Sequence, residues 1–133
     1  QAYAIKEELI TTGIILTRVC SHNGSRAIRI VDFIGPSDSL GGLNNEWLSL
    51  LSSVDAEYID FYSAGISEKN LLSSGFIRRE SGDSVIIPNL FEPFSQINVD
   101  IDYMINTLPN QSYRIVKGDS DQDRPSIVGR TRP

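Results

Sequence analysis

Apolar and polar residues alternate along the first third of the chain with the period of two that marks β-strands. Residues 3 to 9 and Gly13-Ile14-Ile15-Leu16-Thr17-Arg18-Val19-Cys20 read as extended segments, the second rich in β-branched and aliphatic side chains. Ser21-His22-Asn23-Gly24-Ser25 carries Asn-Gly, two residues that accept positive φ, so residues 13 to 34 are expected to form one antiparallel hairpin. Strict alternation in the return strand puts Ile28, Ile30, Asp32 and Ile34 on one face and Arg29, Val31 and Phe33 on the other. A strand that is apolar on both sides apart from Asp32 and Arg29 predicts a central position, covered on both faces.

Gly35-Pro36 ends that strand, and the period then changes. Beyond Gly41-Gly42, residues Leu43, Trp47, Leu48, Leu50, Leu51 and Val54 repeat every 3.6 positions, which predicts an amphipathic helix. Ala56 to Tyr62 reads as a strand, and a helical crossover makes it parallel to the strand before the helix. A short helix is expected over 68 to 74, with Ser67 as N-cap, Ile66 and Leu71 as a hydrophobic staple and Gly75 at the C-terminal stop. Phe76 to Glu80 and Ser84 to Ile87 flank Ser81-Gly82-Asp83 as a second hairpin. Further on, Phe91, Pro93 and Phe94 suggest a packed loop, Val99 to Ile105 an alternating strand, Tyr113 to Val116 a last short strand, and Lys117 onward a polar, irregular tail. The fold class expected is α/β (α+β): a mixed, mostly antiparallel sheet with a parallel central strand pair and flanking helices. No internal repeat is visible.

Composition narrows the function classes. The 133 residues, 14.8 kDa, suit one domain with a real core, and 40% apolar residues argue against wholesale disorder. No long apolar run or basic-then-apolar leader points to a membrane span or a secretory signal. A net charge of -5 with scattered basic residues speaks against a nucleic-acid surface. A single cysteine, Cys20, excludes an internal disulfide and fits a reducing cytoplasm. Gln1 opens almost directly on an extended segment without a methionine, so the chain is expected to be the later part of a longer protein.

The order hairpin, loop, helix, parallel strand, short helix ending in Gly-Phe, then hairpin resembles the second half of the GNAT (Gcn5-related N-acetyltransferase) fold. Ser74-Gly75-Phe76 leading into a basic segment is similar to the Leu-Gly-Phe junction of that superfamily. The stretches Arg29 to Gly35, Glu57 to Tyr62, Ile87 to Phe94 and Gly118 to Pro125 resemble recurring segments of acetyltransferase-like proteins from bacterial surface-polysaccharide gene clusters. On that resemblance, residues 1 to 117 are a GNAT-like domain and 118 to 133 a polar C-terminal tail. The resemblance implies an acyl-CoA-dependent N-acyltransferase, or the C-terminal part of one, with acetyl-CoA as donor and an amino sugar as acceptor. The alternative is a catalytically silent GNAT-like module that binds a sugar nucleotide or completes a larger protein. An N-terminal domain or a second copy of the chain are the partners it suggests.

In that fold the segment after the first central strand holds the acyl-CoA pyrophosphate, here Gly35 to Asn44, with Gly35, Ser39, Gly41 and Gly42 as contacts. A helix start concentrates unpaired N-H donors, and glycine lets backbone approach phosphate. The usual Gln/Arg-x-x-Gly-x-Gly/Ala spacing is absent, and Asp38 would repel an anion. Four residues before Gly75, where the family often has a proton-donating tyrosine, stands Leu71.

Asp32 and Asp60 fall on strand registers otherwise filled by bulky side chains, Ile30 and Ile34 beside one, Tyr58 and Tyr62 beside the other. Such carboxylates must be paired or pay a desolvation penalty. As parallel neighbours they would meet at the carboxyl ends, where open α/β sheets bind ligands, and burial would raise one toward a useful general base. The competing reading satisfies them with Arg29, a tyrosine hydroxyl or backbone N-H groups. Tyr62 and Tyr58 are candidates to protonate a leaving thiolate or are core aromatics. His22 reads as a surface turn residue, and Cys20 has no partner in sequence for nucleophilic chemistry. Asp119 to Asp123 places three carboxylates at alternate positions like the start of an EF-hand loop, whose later positions are Arg124 and Arg130 instead of glycine and glutamate.

Overall fold

The computed structural model describes residues 1–80, 82–88, 96–98 and 102–119. β1 (Ala2–Glu7), β2 (Ile10–His22), β3 (Ser25–Ile34) and β4 (Tyr58–Phe61) form one sheet in that spatial order. β1, β2 and β3 are antiparallel neighbours, and β3 and β4 run parallel with Ala27 to Ile30 opposite Tyr58 to Phe61. The fold is thus mixed α+β, with a sheet that is mostly antiparallel and one parallel pair, which includes the outermost strand β4 instead of lying at the sheet's centre as expected. Asn23 and Gly24, both at positive φ, make the two-residue turn between β2 and β3.

One residue alters the faces expected for β3. Leu16 pairs with Asp32 but Thr17 pairs with Ile30, leaving Val31 as a β-bulge. Beyond it the alternation slips, so Phe33 joins Ile30 on the same side, contrary to the strict period of two. Ile15, Ile30 and Phe33 then form the core with Leu40 and Trp47, all under 9% exposed. Burying each of these side chains contributes roughly 1.5–3 kcal/mol.

A 3-10 turn (Ser37–Leu40) leads into α1 (Asn44–Val54), which lays Trp47 on the sheet. After β4 come β5 (Ser63–Ala64) and α2 (Glu68–Ser73). α2 ends as its Gly-Phe junction predicts: Gly75 N donates to Leu72 O and Phe76 N to Leu71 O, the paired bonds of a Schellman motif. Ile66, Leu71 and Phe76 thereby pack on the core cluster, with the Phe76 ring edge-on to Trp47 at 5.7 Å. Ser67 stands at the helix start in extended conformation, but its side chain caps nothing.

The later elements follow the sequence pattern less closely. Asp83 N bonds Glu80 O and Asp83 Oδ2 accepts from Glu80 N, closing the turn expected there, yet no strand ladder forms among the described residues of 76–87. Of the strand expected over 99–105, residues 102–105 are exposed and outside any ladder, and 99–101 lie outside the described residues, as does the loop 89–95. The last strand does form: β6 (Ile115–Val116) pairs antiparallel with β5, and a 3-10 turn (Lys117–Asp119) follows it. The tail beyond Asp119 lies outside the described residues. No helix among those described is long and apolar enough to cross a membrane.

Candidate functional site

The sheet face opposite Trp47 carries charge. Arg29 and Asp60 are direct partners in the parallel ladder, and their side chains, 3% and 5% exposed, form a bidentate ion pair. Nε donates to Oδ1 at 2.8 Å and Oδ2 at 3.0 Å, and Nη2 donates to Oδ2. The Tyr62 ring lies 5.1 Å from the guanidinium carbon, a cation-π contact. Burial alone would lower the Arg29 pKa, but the hydrogen bonds and charge of Asp60 outweigh it and raise it. Burial, reinforced by the Asp60 charge, pushes the Tyr58 phenol up to about 12. Its hydroxyl faces Pro88 O at 3.4 Å. Asp60 is therefore held as a paired carboxylate, with Tyr62 against its partner.

Asp32 sits beyond the last paired rung of β3 and β4, and its Oδ1 accepts from Phe33 N at 2.7 Å. Asp32 and Asp60 thus occupy different rungs with different partners.

The loop carrying Gly35, Ser39, Gly41 and Gly42 directs its polar groups inward. Ser39 N bonds Pro36 O, Gly41 N bonds Asp38 O, and the Ser39 hydroxyl donates to Thr12 O. Gly42 N and Leu43 N donate to the hydroxyls of Ser73 and Ser74 at the end of α2. Asp38, in the middle of the loop, accepts from Asn70 Nδ2 at 2.9 Å. The Gly35 carbonyl accepts from Arg114 Nη1 at 2.7 Å, and the same guanidinium stacks on Phe33. Four N-H groups that would face a phosphate are engaged by the protein itself.

β3 and β4 part after Ile30 and Phe61, because β4 continues into β5, which turns its edge to β6. Residues 115–119 fill the opening at the carboxyl ends of the parallel pair, with β6 and the following turn lying against β3. Glycine makes this close fit possible at two points. A Cβ on Gly65 would lie 2.0 Å from Tyr113 O, and one on Gly118 would lie 3.1 Å from Val31 O and 3.6 Å from the Asp32 Cβ. Val116 and Lys117 are buried, and Val116 N donates to Asp119 Oδ2 at 2.9 Å. Asp119 is thereby the acceptor of a tight turn, while 120–123 lie outside the described residues.

Among the described residues, one concavity lies along β4. A groove of about 720 Å³ runs between β4, β5 and α2 on one wall and residues 76–79, Ile87 and 102–103 on the other. Its apolar floor includes Phe61, Ile66, Leu71 and Phe76, and its charged groups are Arg78, Arg79 and Lys117 set against Glu68 and Asp102, besides the paired Asp60. Tyr103, half exposed, stands in the wall with its ring 6.4 Å from that of Tyr113 and the two hydroxyls 3.3 Å apart. Asp60 and Tyr62 line this groove, whereas Asp32, Gly35, Ser39, Gly41 and Gly42 do not. The sequence reading missed Arg78, Lys117 and Tyr103. The Arg78-Arg79 pair after Gly75-Phe76 was the available signal, but only the third dimension brings Tyr103 and Lys117 to it.

Comparison with models of protein families, with curated proteins and with solved structures returns no match.

Proposed function

We propose that this chain is a catalytically silent, GNAT-like module that binds a sugar nucleotide in the groove beside β4, and that it acts as part of a larger cytoplasmic protein or assembly in which an N-terminal domain or second copy supplies further elements. The observation that carries this reading is the filling of the β3/β4 opening by residues 115–119. In the GNAT fold that the sequence resembles, N-H groups between diverging central strands polarise the thioester carbonyl, and here the chain's own strand lies in that opening. The engaged N-H groups of the Gly35–Leu43 loop, and Leu71 in place of a tyrosine, support the same conclusion.

Isothermal titration separates this reading from acyl transfer. UDP-N-acetylglucosamine is expected to give saturable heat, and acetyl-CoA none up to millimolar concentration. Saturable acetyl-CoA binding with transfer to an amino sugar would replace this proposal with the N-acyltransferase reading.

A further inference from the structure

Arg78 lines the groove between two carboxylates. Its Nη1 lies 3.3 and 3.4 Å from the two Glu68 oxygens, and its Nε lies 3.2 Å from Glu80 Oε1. One guanidinium is thus bracketed by two separate carboxylates, one from α2 and one from the segment after it. All three side chains are more than half exposed, and exposed pairs at such distances are weak and screened. A guanidinium binds phosphate oxygens by short, parallel, charge-assisted bonds that a single carboxylate at 3.3 Å does not match.

We infer that Arg78 is the phosphate-binding residue of the groove, that Glu68 and Glu80 are weak competitors for its guanidinium which the phosphates of a nucleoside diphosphate displace, and that Tyr103 offers the face on which the ligand's ring stacks. This deepens the sugar-nucleotide reading and rests on it for the identity of the ring. Tyr103 is 51% exposed, and its hydroxyl is tied to Tyr113, which orients the ring without covering it. The open groove of about 720 Å³ has room for a ligand of this size.

The arrangement makes an asymmetric statement about charge removal. Arg78→Ala is expected to weaken UDP binding by about tenfold or more, the equivalent of 1.4 kcal/mol. The double variant Glu68→Gln/Glu80→Gln removes the competing carboxylates and is expected to tighten UDP at least about twofold. Tyr103→Ala should weaken UDP but leave pyrophosphate binding unchanged. Titrations use the whole chain with UDP-N-acetylglucosamine, UDP and inorganic pyrophosphate, with melting temperature as the folding control. If UDP binds equally well to Arg78→Ala, or if Glu68→Gln/Glu80→Gln binds it no tighter than the unaltered chain, the assignment of Arg78 is wrong. Arg78-dependent pyrophosphate binding with no response to either UDP compound would keep Arg78 as a phosphate site while overturning the sugar-nucleotide reading. No binding of any of the three overturns both.

Discussion

Replacing Asp60 by asparagine keeps the size of the side chain and removes its charge, leaving Arg29 buried at 3% side-chain exposure without the Asp60 carboxylate. Breaking a buried pair from one side costs about 3–5 kcal/mol, because the surviving charge stays desolvated. A domain of 133 residues has a total stability of roughly 7–20 kcal/mol, so the loss is a large fraction of the whole. With an unfolding entropy of about 2.1 cal/mol/K per residue, it corresponds to a fall in Tm of about 11–18 °C. Circular dichroism melts and urea titrations read both quantities. The double variant Arg29→Met/Asp60→Leu, which removes both charges, should recover most of the loss. Asp60→Asn within about 1 kcal/mol of the unaltered chain, or a double variant as unstable as the single one, would refute the structural role. A stable Asp60→Asn that no longer binds UDP would instead make Asp60 a ligand contact.

Two further substitutions test the elements around the groove. Tyr58 is pushed up to about 12 by burial, so its neutral form is favoured in the folded state. Its contribution is whole below the ordinary phenol value and is lost as pH rises toward 12; Tyr58→Phe should flatten urea stability between about pH 10 and 12 relative to the unaltered chain. Ser74, 2% exposed, donates to Leu40 O and accepts from Leu43 N at 2.9 Å. Ser74→Ala strands both backbone groups and should cost about 1–3 kcal/mol in urea unfolding; an unchanged midpoint would mean that another partner replaces the hydroxyl.

The parts legible in the sequence are those whose signals are local. Asn23-Gly24 set the β2–β3 turn, the 3.6 period set α1, and Gly75-Phe76 closed α2, because each needs only neighbours within a few positions. The bulge at Val31 was not legible: an extra residue is defined by the partner strand, so the alternation gave the wrong face for Phe33. The aspartates show the same limit. Their register was readable, but that Arg29 would clasp Asp60 while Asp32 bonded the neighbouring N-H depended on where β4 stops pairing. The groove's Tyr103 and Lys117 come from segments with weak periodicity and were brought to Arg78 by β5–β6 pairing across some fifty residues of chain.

The seal made by residues 115–119 also has a consequence in time. β3 and β4 are complete by Phe61, but the strand that closes their carboxyl ends is translated more than fifty residues later. At about 5–20 residues per second, the opening stays unsealed for some 3–11 s while the sheet already has its other partners. During that interval the two-residue edge of β5 stands without its β6 partner. A chain interrupted before Ile115 would keep that edge open, which makes residues 115–119 the step that completes the sheet's carboxyl end during synthesis.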